Sequence, residues 1–314
     1  MLGEVEDLIK DKHLLVVPSS SLTQLPFHVL VTEKPETATP DRTDYRNIAW
    51  FARSNAITVL PAVSSLQALR QYAKLSQATK PLLGVGNPLL DGPDSTYADL
   101  KQAALERQSC GGFGPARVAE NRGSGGINPF VQRGGIVNVA ELRMAPPLPE
   151  TADELCDVAK AVGAAGADIF LGARASEREI KQLSEAGTLR TYRIVHFATH
   201  GALAGEMSGS VEPGLLLTPP ETGTEADDGY LSASEIAGLK LDADWVILSA
   251  CNTGAGGAEG AEALSGLARA FFYAGARALL VSHCYVDSAA TVTLITKSFD
   301  ALKADPKIGR SAGR

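Results

Sequence analysis

Short apolar runs alternate along the chain with segments whose apolar residues recur at helical spacing. The apolar runs predict strands at 13–19, 27–31, 55–61, 81–88, 168–172, 192–199, 243–250 and 277–283. The periodic segments, several preceded by a capping residue, predict helices at 64–75, 151–164, 176–186, 232–239, 260–276 and 288–303. Strands that alternate with helices favour an α/β fold with a mostly parallel sheet and helices on both faces.

One segment, 91–150, interrupts this alternation. It is rich in Gly, Asn, Ser and Pro and shows no sustained period, which predicts a long surface insertion. The insertion would separate an N-terminal α/β part at 1–90 from a second part at 151–314. The chain shows no repeat of about 34 residues, so the pattern does not indicate a tetratricopeptide array.

Composition excludes some classes of function. The 314 residues suffice for one large domain or two smaller ones, and 45% apolar with 21% charged residues is typical of a globular protein. The net charge of −7 is dispersed, and no Lys/Arg-rich stripe indicates nucleic-acid binding. The longest apolar region, 268–283, is interrupted by Arg269 and Arg277, so no membrane span is predicted. The N-terminus is charged from Glu4 and does not resemble a signal peptide, so we expect a cytoplasmic protein.

The four cysteines, at positions 110, 156, 251 and 284, show no CxxC spacing. This argues against a zinc site and against a disulfide framework, and it predicts reduced thiols. We expect no metal and no cofactor.

Two of the predicted strands end in reactive side chains followed by small residues. "YRIVHFATHG" leads to His200 and Gly201, and "DWVILSACNTG" leads to Cys251. In parallel sheets, ligands bind beyond the carboxyl ends of the strands. Either residue alone is most simply a structural side chain at a strand end. Together, they favour an imidazole base beside a thiol nucleophile, with the Gly201 amide as an oxyanion donor.

Other reactive residues have simpler interpretations. His196 shares a strand face with His200 and is expected to be a core histidine. His283 and Cys284 are adjacent and would face opposite ways, so they are expected to be structural or to line the cleft. The glycines of 254–260 form only a loose match to a phosphate-binding loop, which leaves dinucleotide binding as a weak alternative. The loop 202–229, with its Asp227 and Asp228, is expected to be solvated, although it could instead border the cleft.

The two motifs, with "GLARAFFYAGARALLVS" after them, resemble the CHAT domain. This is a caspase-like cysteine peptidase domain related to caspases and separases. The resemblance implies a caspase-like fold in which His200 is the base and Cys251 the nucleophile on adjacent parallel strands. It further implies that the backbone amides of Gly201 and Cys251 hold the oxyanion, that 151–314 is the catalytic part, and that 1–90 is a degenerate copy.

The chain departs from the CHAT pattern in two places. Where such sequences read "SLWxVDD", this chain reads "SHCYVDS", so Asp287 remains as a substrate-binding candidate while Ser288 replaces a second acid. The sequence also ends where the pattern usually continues, so we expect a catalytic part truncated at its C-terminus. The function predicted is a cysteine endopeptidase acting on a protein or peptide substrate and regulated by a partner protein or a tetratricopeptide-repeat module. The alternative is a catalytically silent scaffold.

Overall fold

The computed structural model describes residues 5–19, 22, 25–35, 44–60, 63, 66, 75–111, 136–249, 260–281 and 288–304. The chain divides into two compact units. The first comprises Met1–Ala73 with Ala312–Arg314, and the second comprises Lys74–Ser311.

Among its described residues, the first unit contains a short helix and a two-stranded parallel sheet. Its elements are α1 (Glu6–Ile9), β1 (Leu14–Val16) and β2 (Ile57–Val59). The predicted strand at 27–31 is instead a single 3₁₀ turn at Phe27–Val29. The Val29 amide donates to the carbonyl of Pro26, which bends the chain there, and the apolar run serves to bury Phe27 rather than to extend a sheet.

The second unit contains a five-stranded sheet, a three-stranded sheet and seven helices among its described residues. The strands are β3 (Lys80–Gly86), β4 (Ile169–Leu171), β5 (Tyr192–Ala198), β6 (Gly201–Ala202), β7 (Gly214–Leu216), β8 (Tyr230–Ser232), β9 (Trp245–Leu248) and β10 (Leu279–Val281). The helices are α2 (Ala98–Glu106), α3 (Val139–Arg143), α4 (Glu150–Val162), α5 (Glu177–Glu185), α6 (Ala233–Ala237), α7 (Gly260–Ala274) and α8 (Ser288–Ala304).

The larger sheet has the strand order β10-β9-β5-β3-β4, and every neighbouring pair is parallel. Apolar side chains cover both of its faces, which places the helices in two layers. Val195 and Phe197 of β5 pack with α5, α6 and α7, whereas Ile194 and Ala198 pack with α4 and α8. This confirms the predicted α/β fold with a mostly parallel sheet between helices.

Close packing of α4 on the sheet depends on two glycines of β3. A Cβ atom at Gly86 would lie 2.7 Å from a methyl group of Leu155, and one at Gly84 would lie 3.1 Å from the other. A Cβ atom at Gly86 would also lie 2.8 Å from the backbone oxygen of Ala198, and one at Gly84 would lie 2.9 Å from a methyl group of Ile169, so a larger side chain at either position would force neighbouring atoms to shift. The absence of a side chain at both positions lets α4 pack closely against β3.

The smaller sheet, β6-β7-β8, is antiparallel and follows directly from the end of β5. Its buried residues form a third apolar cluster with the chain on either side of α3. The cluster comprises Leu90, Val137, Leu142, Ala145, Ala202, Met207, Leu216 and Tyr230. It packs the segment before α4 against the loop that leaves β5.

The segment 91–150 is more regular than its composition indicates. Its described residues include α2, α3 and the first residue of α4, and both Leu142 and Ala145 are buried. The residues between 112 and 135 lie outside the described part of the chain. Helix α3 has only five residues and buries Leu142 in the third apolar cluster, so no sustained period marks it in the sequence.

Candidate active site

The strands that precede the two predicted catalytic residues are neighbours. β5 and β9 are adjacent and parallel, Phe197 is paired with Leu248, and the Ser249 amide donates to the Phe197 carbonyl at 2.9 Å. His200 lies three residues beyond Phe197, and Cys251 lies three residues beyond Leu248 in the sequence. The expected adjacency of these strands is therefore confirmed, whereas Cys251 itself lies outside the described residues.

His200 is oriented by a backbone carbonyl. Its Nε2 atom lies 2.7 Å from the oxygen of Pro146, and because a carbonyl only accepts, Nε2 must carry the hydrogen. The lone pair of the neutral ring then resides on Nδ1. Burial lowers the pKa of His200 below its usual value, and the hydrogen bond to Pro146 opposes part of this effect. A neutral imidazole at pH 7 is the form that can accept a proton.

The position of Pro146 depends on the segment between α3 and α4. Asn138 caps α3 by accepting from the amides of Ala140 and Glu141, and the buried Ala145 holds the end of the segment in the third apolar cluster. Pro146 follows at once and presents its carbonyl to the ring. No side-chain signature accompanies such an acceptor, so sequence reasoning did not find it.

The Gly201 amide takes no part in the ladder between β6 and β7. Gly201 is paired with Leu215, and the Leu216 amide donates to the carbonyl of His200 at 2.9 Å. In an antiparallel pair this pattern makes Gly201 and Leu215 a non-hydrogen-bonded pair, whose amides point away from each other. The geometry is compatible with the predicted use of Gly201 as an oxyanion donor.

A buried polar group lies below this edge, on the face covered by α4. His196, predicted to be a core histidine, is 0% exposed, and its Nε2 lies 2.8 Å from Ser249 Oγ. Nε2 also lies 3.0 Å from Oε1 of Glu154 on α4. In the sequence, Glu154 stands out only as the capping-box partner of Thr151, an interpretation that is wrong because α4 begins at Glu150 with Pro149 as its N-cap.

A second polar network anchors the loop before β8. Glu177 is buried at the start of α5, where Oε2 accepts from the amides of Asp228 and Gly229 at 2.8 and 2.9 Å. Asp228 in turn accepts from Val137, and Asp227 pairs with Arg178. The interpretation of Asp227 and Asp228 as solvated residues is therefore wrong, because each is 8% exposed and carries specific bonds.

We expect Glu177 to make the stability of the fold depend on pH. Burial raises the pKa of its carboxyl to about 7, although the Lys181 ammonium opposes the shift. Between its usual value of 4.5 and about 7, the folded protein holds a proton that the unfolded chain releases, so the free energy of unfolding falls as pH rises. The contribution to the free energy of unfolding is on the order of 2 kcal/mol. It is smaller than the pKa difference alone would give, because Lys181 and Glu235 interact with the Glu177 carboxyl.

Urea unfolding at pH 5 and pH 8 measures this effect. Glu177→Gln should reduce the loss of stability between the two pH values, while Glu179→Gln removes a carboxylate of the same helix as the control. If both variants lose as much stability as the unsubstituted protein over this range, Glu177 does not carry the dependence.

Two of the cysteines are paired, contrary to the expectation of four reduced thiols. Cys110 and Cys156 form a disulfide across 46 residues of sequence, joining the loop after α2 to the middle of α4. The spacing gave no signal, because α4 and the loop meet only through the tertiary fold. Cys156 is buried, whereas Cys110 is partly exposed.

The remaining predicted site residues lie outside the described part of the chain. These are Asp287, the pair His283–Cys284 and the glycines between 254 and 259. Within the described residues, no group of three or more His, Cys, Asp or Glu side chains is arranged to hold a metal ion. None of the described helices is long and apolar enough to cross a membrane.

Comparison with known families identifies the architecture. The profile of the CHAT domain matches residues 3–312, which is nearly the whole chain. The chain belongs to the CHAT domain family. CHAT domains are caspase-like, and the five-stranded parallel sheet between two helical layers agrees with that fold. No curated protein sequence matches this CHAT domain closely enough to supply a substrate or a catalytic residue.

Proposed function

We propose that this CHAT domain is a cysteine endopeptidase in which His200 and Cys251 form a catalytic dyad. The observation that carries the proposal is the register of β5 and β9. Phe197 and Leu248 are paired, and each is followed three residues later by the residue that the reaction needs. Parallel neighbours end at the same edge of a sheet, so the two chain segments leave the sheet side by side.

The environment of His200 suits the role of a base. With Nε2 donating to Pro146, Nδ1 accepts the proton of the Cys251 thiol. The thiolate attacks the carbonyl carbon of the scissile peptide bond, and the carbon–nitrogen bond breaks as the imidazolium returns the proton to the leaving amine. Water, deprotonated by His200, then attacks the thioester, and the thiol and the new carboxylate are released.

Backbone amides would stabilise the oxyanion of each tetrahedral intermediate. The donors proposed are Gly201, whose amide is not used by the β6–β7 ladder, and Cys251. Fixed donors directed at the developing charge contribute a large share of the catalysis in acyl transfer. The Pro146 carbonyl would orient the His200 ring, which is the role of the third residue in a catalytic triad.

The substrate is proposed to be a protein or peptide, with Asp287 contacting the side chain before the scissile bond. A regulatory protein or a tetratricopeptide-repeat module is the proposed partner. The expected cytoplasmic location stays a prediction, and the disulfide between Cys110 and Cys156 is a feature more common in oxidising compartments.

Selective alkylation tests the proposal. Without reductant, iodoacetamide should label Cys251 at least about tenfold faster than Cys284, because a thiolate beside an imidazole reacts faster than an ordinary thiol. Peptide mass spectrometry of the folded protein measures both rates. Cys110 and Cys156 serve as internal controls, since their disulfide prevents labelling.

The substitution His200→Ala should remove the faster alkylation of Cys251. Incubation with a random peptide library should yield cleavage products only when His200 and Cys251 are both present. If Cys251 and Cys284 react at equal rates, a scaffold role is favoured instead. Thermal stabilisation by NAD or ATP would support the dinucleotide-binding alternative.

A further inference from the structure

The strand β4 lies at one end of the larger sheet, and its only strand partner among the described residues is β3. The edge of such a strand normally exposes a row of unpaired amides and carbonyls. The residues of β4 are nevertheless buried, main chain included, since Ile169 is 2%, Phe170 6% and Leu171 1% exposed. Another part of the chain therefore covers this edge.

The loop that follows α2 supplies the cover, and we call its residues 107–111 the strap. The Gln108 side chain fills the space that a Cβ atom on Gly172 would take, directly after the carboxyl end of β4. Cys110 lies beside Gly166, before the start of β4, where an added Cβ atom would be 3.5 Å from the Cβ of Cys110. The strap thus contacts the chain on both sides of β4 and passes along its open edge.

The start of the strap is fixed independently of the disulfide. Asn87, directly after β3, is 0% exposed, and its Nδ2 donates to the carbonyls of Ala104 and Arg107 at 2.9 and 2.8 Å. The Arg107 side chain also faces Asp153 of α4, with Nε 3.7 Å from Oδ2. Arg107 is therefore the anchored end, about which the rest of the strap can turn.

The far end of the strap is held by the disulfide. Beyond Arg107, the hydrogen bonds of the strap within the described part of the chain reach no further than α2 and the strap itself. The bond from Cys110 to Cys156 ties this end to α4. Cys156 is buried in the apolar cluster between α4 and the sheet, where a free thiol packs as a small apolar side chain. Opening the bond therefore releases the strap and leaves the packing of α4 in place.

We propose that the Cys110–Cys156 disulfide is a redox-operated latch, which closes the edge of β4 when oxidised and opens it when a dithiol reduces it. Cys110 offers the accessible sulfur, because it is partly exposed whereas Cys156 is 3% exposed. A thiolate of the dithiol attacks Cys110 Sγ, and Cys156 leaves as a thiolate that takes up a proton. The second thiol of the reductant then displaces Cys110, which yields two protein thiols and the oxidised reductant.

Reduction changes what the sheet presents to its surroundings. With the strap turned away about Arg107, the main chain of β4 becomes an open edge, and an open edge is a template on which another strand can pair. The inference does not rest on the proposed function, because neither the latch nor its test involves peptide cleavage.

Hydrogen exchange read by mass spectrometry tests the latch on the full chain, with dithiothreitol as the reductant. The exchange rate of β4 divided by that of β5 should rise at least about tenfold on reduction, because local opening exposes only the strap and the edge that it covers. The ratio is the informative quantity, since loss of the bridge also lowers the stability of the whole fold. Reoxidation with oxidised glutathione should restore the original ratio.

Two variants complete the test. Cys110→Ser imitates the open latch, so it should show the high ratio without reductant and should not respond to dithiothreitol. Ser109→Ala changes the exposed neighbour in the strap and should respond as the unsubstituted protein does. If Cys110→Ser does not fold, the reduced unsubstituted protein still measures the ratio.

An unchanged ratio after reduction would overturn the inference. The bridge would then stabilise the fold as a whole without controlling the edge of β4. A ratio that rises equally in Cys110→Ser on addition of dithiothreitol would also overturn it, because the reductant would be acting on something other than this bridge.

Discussion

Replacing His200 with alanine should lower kcat/KM for peptide cleavage by about 10³-fold, within the range that general acid–base groups contribute. The ring is held by Pro146 and is neutral at pH 7, because burial lowers its pKa. Alanine removes both the acceptor for the thiol proton and the donor to the leaving amine. Initial rates on a peptide selected from a library measure the effect.

His28→Ala is the matched control, since its Nε2 lies 3.3 Å from the Ile57 carbonyl oxygen, within the first unit. The control should cleave at the unsubstituted rate. If His200→Ala retains more than about a tenth of the activity, a group other than His200 must serve as the base.

Removing the disulfide should lower the free energy of unfolding by about 4 kcal/mol, the loop-closure contribution of a bridge that spans 46 residues. The double variant Cys110→Ser/Cys156→Ala avoids leaving a free thiol and keeps the buried position apolar. Urea unfolding of the variant and of the unsubstituted protein, each with and without dithiothreitol, measures the contribution.

Reductant should destabilise the unsubstituted protein to the level of the variant and leave the variant unchanged. Equal stability of the oxidised protein and the variant would mean that the bridge does not constrain the unfolded chain. Activity of the two forms can be compared in the same samples.

The main sheet could be predicted from the sequence because its strands carry their own signal. "WVIL" is apolar on both faces and "IVHFA" is apolar apart from His196, as strands between two helical layers must be, and the helical stripe of Leu267, Phe271 and Ala274 is buried as the period predicts. Local composition was a weaker guide where tertiary contacts decide the structure. The turn at Phe27 and the short helix α3 are examples, since each is stabilised mainly by what it packs against.

The candidate site divides in the same way. His200 and Gly201 stand out because a strand, a reactive side chain and a glycine follow each other in sequence. Pro146 does not, because its contribution is a carbonyl that every residue possesses. The contact of Glu154 with His196 was also hidden, since a glutamate in the first turns of a helix is normally exposed. The bridge between Cys110 and Cys156 required the packing of α4 to be known.

The place of β3 limits where this chain can be divided. β3 lies between β4 and β5 and is hydrogen-bonded to both, although it is the first strand of the second unit. The Gly- and Pro-rich composition that begins at residue 91 suggests a domain boundary there. A shortened chain that began at residue 91 would lack β3 and would leave a gap in the middle of the sheet. Expression of the second unit by itself should therefore start at or before Lys74, the boundary that keeps all five strands together.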